Sequence, residues 1–168
     1  MKKLLSIITI LSFMNIFSQS NETLINFPGY QNMIGKPFSI EQFNSEKGIQ
    51  LNIEKLKGKA TLINFWSTNC EPCIEEMPLL NQLKKDLNDK VNFIGITFST
   101  KEKVENFLTK HEFSFNFITD VEYKLFEKNK ITRYPMTFIL DKDGILQYVI
   151  GKLNPENADT IKKTLLEY

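Results

Sequence analysis

The chain contains only two cysteines, Cys70 and Cys73, and a single histidine, His111. It also has one tryptophan, Trp66, and one arginine, Arg133. These scarcities exclude several functions. Zinc takes four ligands, and beyond carboxylates this chain offers two thiols and one imidazole. A lone arginine among 21 basic residues leaves no cluster to grip phosphates in bidentate fashion. With a formal net charge of +1, no concentrated basic surface is expected, which argues against nucleic acid as a partner. No cysteine precedes residue 70, so lipid attachment at an N-terminal cysteine is excluded. The apolar stretch from Leu4 to Phe17 falls short of the ~20 residues that span a bilayer.

What is present points to one folded domain. The 168 residues are 42% hydrophobic and include 14 Phe, enough for a sizeable core. Residues 1–20 have the layout of an export signal: Lys2-Lys3, the apolar stretch, then the small residues Ser18-Gln19-Ser20. Such a segment is either cleaved or retained as an anchor, because Ser6, Thr9, Ser12 and Asn15 weaken the span without breaking it. The expected division is residues 1–20 as signal and 21–168 as the domain. Without residues 1–20 the chain carries 19 Lys+Arg against 20 Asp+Glu, a net of −1.

Along the domain, Phe38–Phe43 and Ile49–Ile53 read as two short strands forming an N-terminal β-hairpin. The run Ala60–Trp66 is nearly continuous in apolar residues, as in a strand buried on both faces. A helix is predicted from about Cys70, with Pro72 in its first turn and Met77, Leu80, Leu83 and Leu87 on one face. Pro78 falls inside that pattern and predicts a kink. Val91–Phe98 reads as a buried strand, and Val104, Phe107 and Leu108 as a helix. Phe113, Phe115 and Phe117 alternate as in a strand. Asp120 is placed to cap a short helix carrying Leu125 and Phe126. Met136–Leu140 and Ile145–Ile150 flank the hairpin signal Asp141-Lys142-Asp143-Gly144. Asn154 and Pro155 open a last helix. The fold class is α/β: a central mixed β-sheet flanked by helices. The cysteine pair stands where a buried strand hands over to a helix, which is where functional crevices form in open α/β sheets.

Cys70 and Cys73 are spaced so that one thiol can attack a disulfide and the other, one helical turn away, can resolve the mixed product. At a helix start Cys70 meets free N–H groups and the positive end of the dipole, and both favour the thiolate. Three bland readings compete. A structural staple would close too short a loop to remove much unfolded-state entropy. A zinc half-site lacks ligands. An inert pair would leave the spacing unexplained. Glu71 and Pro72, between the thiols, should set the redox poise. The Glu71 charge opposes a neighbouring thiolate, so Cys70 should be less acidic than in strongly oxidising enzymes. Glu76 lies three residues past Cys73 on the same face. It is either a buried proton carrier or a solvated carboxylate like Glu75, and spacing does not choose between them. Tyr134-Pro135 opens a strand. Its peptide bond is either cis, which would set neighbouring backbone against the cysteines, or the far commoner trans. Trp66 reads as a core aromatic at the strand end beside the site, and His111 as an exposed residue at a helix end.

Leu62-Ile63-Asn64-Phe65-Trp66, Thr68, Cys70-Glu71-Pro72-Cys73, Glu76 and Pro78 together resemble the thioredoxin superfamily, and within it the exported TlpA/ResA/DsbE-like branch. Tyr134–Asp141 with Gly144 is similar to that family's cis-proline strand and hairpin. The resemblance runs from about Gly35 to Leu166. It implies a thioredoxin-like fold, with Lys101–Thr119 as the branch's extra helix and strand. It implies Cys70 as nucleophile, Cys73 as resolving thiol, Glu76 as the buried active-site glutamate, Pro135 as the cis-proline and Tyr134 as the residue pairing with a bound peptide. Asn64 stands where many cytosolic thioredoxins carry an aspartate, which moves proton handling toward Glu76. Trp66, Glu71 and Pro72 support the site.

The implied protein is an exported, periplasmic or membrane-tethered, thiol–disulfide oxidoreductase. It would work without metal or organic cofactor, on protein thiols and disulfides, as a monomer. The family often reduces selected disulfides, such as haem-binding cysteines of apocytochrome c, with electrons from a membrane thiol carrier. Two rivals stand beside this reading. A peroxiredoxin-like peroxidase would typically have proline seven residues before its reactive cysteine, where this chain has Ile63, and an arginine beside it. A non-catalytic envelope module binding protein or metal would show no disulfide turnover.

Overall fold

The computed structural model describes residue 24 and residues 26–168. Residues 1–20, read above as an export signal, lie outside the described residues. Five strands form one sheet: β1 (Thr61–Phe65), β2 (Asn92–Ile96), β3 (Asn116–Ile118), β4 (Met136–Leu140) and β5 (Leu146–Ile150). Their spatial order is β3-β2-β1-β4-β5. β1 pairs in parallel with β2 and antiparallel with β4, and β5 is antiparallel to β4, so the sheet is mixed as expected. The helices are α1 (Glu71–Leu87), α2 (Lys101–Leu108), α3 (Tyr123–Lys128) and α4 (Pro155–Glu167). α2 and β3 fall within the expected insertion.

β1 is central and every residue in it is buried, which its apolar run requires. Alternation then sends Leu62, Asn64 and Trp66 to one face and Ile63 and Phe65 to the other. On the first face Leu62 and Trp66 meet Met77, Leu80 and Leu83 of α1, Val104 and Phe107 of α2, and Ile161 and Leu165 of α4. On the second, Phe65 sits among Phe38, Phe43, Phe126 and Phe138, with ring centroids 4.9–6.5 Å away. α1 runs through Pro78, which lies on its exposed side. The β4–β5 turn is closed by the Asp141 carboxylate, which accepts from the N–H groups of Asp143 and Ile145, and Gly144 takes φ +77°.

The N-terminal hairpin is a correction. Glu41–Phe43 and Ile53–Leu56 are single 3₁₀ turns, and no ladder joins their segments. Instead the chain crosses the second face from one rim of the sheet to the other. Pro37 bridges Ile145 beside β5, while Ile49 bonds Thr119 just beyond β3. The Asn44 side chain joins the stretch internally, bonding both N–H and C=O of Leu51 in place of a backbone ladder. Phe38, Ile40 and Phe43 alternate in sequence because they pack onto the sheet, not because they belong to it.

Asp120 is a second correction. It takes φ +57°, and its carboxylate accepts the Lys101 N–H at 2.6 Å, so it serves the start of α2 rather than of α3. α3 begins after Glu122 with no side-chain cap.

α4 opens as its sequence predicts. Asn154 and Asn157 exchange side-chain-to-backbone bonds of 3.0 Å each, with Pro155 in the first turn. Replacing Asn154 with Ala is expected to lower stability by about 1 kcal/mol. Urea unfolding would register this as an earlier midpoint at constant slope; an unchanged midpoint would mean that Pro155 alone suffices.

Candidate active site

Cys70 and Cys73 are joined by a disulfide, with their Cα atoms 5.2 Å apart. Cys70 occupies the cap position of α1, and its sulfur accepts the Cys73 N–H at 3.2 Å. It is half-buried, while Cys73 is almost wholly buried against the first core. An attacking sulfur must be reachable and a resolving one sheltered, so the pair has the asymmetry that sequential attack requires. Glu71 and Pro72 are both exposed.

Glu76 is fully buried, so it is not a solvated carboxylate like Glu75. One carboxylate oxygen accepts from the Asn64 amide at 2.8 Å and the other from the Leu153 N–H at 2.6 Å. Asn64 also donates to the Thr137 hydroxyl at 3.1 Å, across the register pair of β1 and β4. Burial pushes the Glu76 carboxyl from its ordinary 4.5 up to about 7. The Leu153 and Asn64 bonds and the Lys152 ammonium pull the other way without prevailing. Lys152 is itself paired with Glu75 at the surface. The carboxyl is therefore about half ionised near neutral pH, where it can give or take a proton. The sequence did hold a signal for this network: a lone Asn in a strand of buried apolar residues needs a buried partner.

The Tyr134–Pro135 peptide bond is cis. Because Phe65 pairs with Met136, Pro135 stands at the same end of the sheet as the segment leading from β1 to Cys70. The Tyr134 ring packs on Phe98 and Phe126, and burial together with Tyr123 and Glu127 pushes its phenol well above the usual range. Its hydroxyl has no hydrogen-bond partner among the described residues. Trp66 is fully buried among Phe107, Phe113 and Phe117, as a core aromatic. His111 is not the exposed residue expected: it is half-buried, stacked on Phe107 with centroids 4.3 Å apart.

A protein-family model described as the AhpC/TSA family matches residues 34–149. The chain belongs to the AhpC/TSA family. It is 33% identical over 127 residues to the thioredoxin-like protein YneN of Bacillus subtilis, covering 73% of this chain and 72% of that protein. It is 31% identical over 116 residues to the thiol–disulfide oxidoreductase ResA of Bacillus cereus, covering 67% of each. The crystal structure of the exposed lipoprotein thioredoxin Etrx1 from Streptococcus pneumoniae aligns with a TM-score of 0.59, at 22% identity over 69% of this chain and 90% of that one, a likeness of fold. The sheet order and flanking helices agree with this AhpC/TSA, thioredoxin-like assignment. With its Cys70–Cys73 pair, the chain is a thiol–disulfide oxidoreductase of the thioredoxin-like kind.

Among the described residues no group of three or more His, Cys, Asp or Glu is arranged to hold a metal, and no helix is long and apolar enough to cross a membrane.

Proposed function

We propose that this protein is exported and reduces disulfides of other exported proteins, apocytochromes c among the candidate substrates. The observation that carries the reading is the half-buried Cys70 beside a buried Cys73, with the buried Glu76 carboxyl three residues on. In the reduced enzyme the Cys70 thiolate attacks one sulfur of the substrate disulfide. The Cys70–substrate bond forms as the substrate S–S bond breaks, and the first substrate thiolate leaves. The Cys73 thiolate then attacks Cys70 Sγ, closing the Cys70–Cys73 disulfide and releasing the second. Two electrons pass to the substrate, whose thiolates take up the two protons the enzyme thiols give up. Glu76 holds the Cys73 proton in transit. Tyr134 and Pro135 present backbone to the bound peptide, and Glu71 and Pro72 set the potential. A dithiol protein in the membrane restores the enzyme by the reverse exchange.

Residues 1–20 act as the export signal in this reading, and residues 21–168 as one domain, a monomer. The exposed location of the pneumococcal lipoprotein thioredoxin supports export. A peroxidase reading finds less support, because the one arginine, Arg133, has its guanidinium over the Phe27 ring, 4.8 Å from the centroid.

Cys73→Ser is the test. Lacking the resolving thiol, it is expected to accumulate a covalent adduct with substrate proteins through Cys70, released by dithiothreitol. No adduct from cells, or peroxide consumption that survives the substitution, would overturn the reading. The direction follows from the Cys70/Cys73 reduction potential, expected near or below about −250 mV; a value near about −120 mV would make the protein a disulfide donor.

A further inference from the structure

Glu75 and Glu76 are neighbours on α1, yet one is exposed and the other sealed in the core. The loop before α4 shows the same alternation: Lys152 is exposed and Leu153 buried. The two pairs meet side by side. Inside, the Leu153 N–H donates to Glu76 at 2.6 Å; outside, the Lys152 ammonium pairs with Glu75. The peptide group between Lys152 and Leu153 is held from both sides, because its C=O accepts from the Asn157 amide at 3.3 Å while its N–H reaches Glu76. The Lys152 side chain is thus rooted one residue from the bond to the buried carboxylate.

A surface ion pair contributes little to stability and by itself needs no further role. The Lys152 and Glu75 side chains are 40% and 55% exposed, so this pair is no strong clasp. What sets it apart is its neighbour. Glu76 has no ionised hydrogen-bond partner, since the Asn64 amide and the Leu153 N–H are neutral donors. β1 and β4 face it with Asn64 and Thr137, which do not titrate. α4 faces this core with Ile161 and Leu165, and its acids Glu156 and Asp159 are exposed. On α1 the titratable neighbours are Cys73 and Glu75. Among the described residues Lys152 is therefore the one cation that draws Glu76 toward its charged form.

We propose that Lys152 is a positioning residue for disulfide exchange: its ammonium supports the Glu76 carboxylate that stands ready for the Cys73 proton, and Glu75 moderates that support by holding the ammonium at the surface. The proposal rests on the exchange reading above and deepens it. In the proton step the Cys73 S–H bond breaks and a Glu76 O–H bond forms. Negative charge passes from carboxylate to sulfur, and nothing is oxidised or reduced until that sulfur closes on Cys70. A carboxyl already protonated cannot take the proton, and burial with no cation nearby favours that state. A cation pressed directly against Glu76 would hold it ionised and keep it from giving the proton back. Lys152, drawn outward by Glu75 and partly screened by water, lies between these extremes.

The full chain, oxidised and with isotope-labelled Glu carboxyl carbons, is titrated by NMR; the Glu76 signal is the one missing from Glu76→Gln. Lys152→Gln is expected to raise the Glu76 midpoint by about half a pH unit, an about threefold change in its protonation constant. Glu75→Gln removes a nearby negative charge and frees the ammonium, so it is expected to lower the midpoint by a similar amount. Lys152→Arg keeps the charge and should keep the midpoint. For the reduced chain, the pH profile of kcat/KM with bis(2-hydroxyethyl) disulfide should move in the same directions. In a Glu76→Gln background neither substitution should move it. A midpoint that Lys152→Gln leaves in place, or a rate loss that persists in the Glu76→Gln background, would make Lys152 a structural surface partner and overturn this proposal alone. An unaltered protein that reduces no disulfide would overturn the exchange reading and this one with it.

Discussion

Replacing Glu76 with Gln is expected to flatten the pH dependence of the oxidised protein's stability. Burial raises the carboxyl from 4.5 to about 7 in the folded state, so folding favours the protonated form. The sign follows from linkage. The contribution is fully present below about 4.5 and is lost as pH rises through about 7, a change of about 3 kcal/mol. A Gln side chain has the same shape and no charge to bury. It can keep the Leu153 N–H as donor if the Asn64 amide turns its oxygen toward the new NH₂ and the Thr137 hydroxyl donates in turn. Urea unfolding at about pH 4 and about pH 8 should therefore show the unaltered protein losing about 3 kcal/mol more than the variant across that interval. Equal losses would mean that Glu76 does not titrate there. Thiol reactivity should follow the same profile, since the carboxyl that titrates lies one helical turn from Cys73.

Phe65→Ala is expected to cost about 3–5 kcal/mol, enough to consume much of a small domain's stability. Phe65 is fully buried, on the central strand, with Phe38, Phe43, Phe126 and Phe138 around it. Those four rings come from three separate segments, so collapse into the vacated space would have to move several of them at once. Denaturant unfolding of the oxidised variant measures the loss. A loss below about 1 kcal/mol would show that this face repacks freely. Where the variant folds, its disulfide exchange should persist, because the cysteines pack on the opposite core.

These two positions also show what the sequence made legible. The apolar run ending in Trp66 announced a central strand, and Cys70-Glu71-Pro72-Cys73 after it announced a helix start with reactive sulfur. Both depend on residues adjacent in sequence. The reciprocal Asn154/Asn157 cap and the Asp141–Gly144 turn are local in the same way. What escaped depended on distant partners. Phe113, Phe115 and Phe117 alternate as in a strand, but only Asn116–Ile118 finds a ladder, because β2 offers β3 just Ile94, Gly95 and Ile96. Phe38–Phe43 alternates for the sake of the face it covers. The burial of Glu76 was invisible from its spacing to Cys73, because it depends on Asn64, Thr137 and Leu153, which come from β1, β4 and the loop before α4.

The segment ahead of β1, which replaced the expected hairpin, bonds β5 at one margin of the sheet and the residue just past β3 at the other. Phe27 donates its N–H to Val149 of β5, and the Asn26 side chain accepts from the same residue. At the opposite margin Ile49 exchanges bonds with Thr119, just past β3. A sheet whose margins stand open invites strands from other molecules. Residues 26–51 thus occupy part of the β5 margin and close the chain just past β3, which leaves less open edge for a strand from another molecule to join.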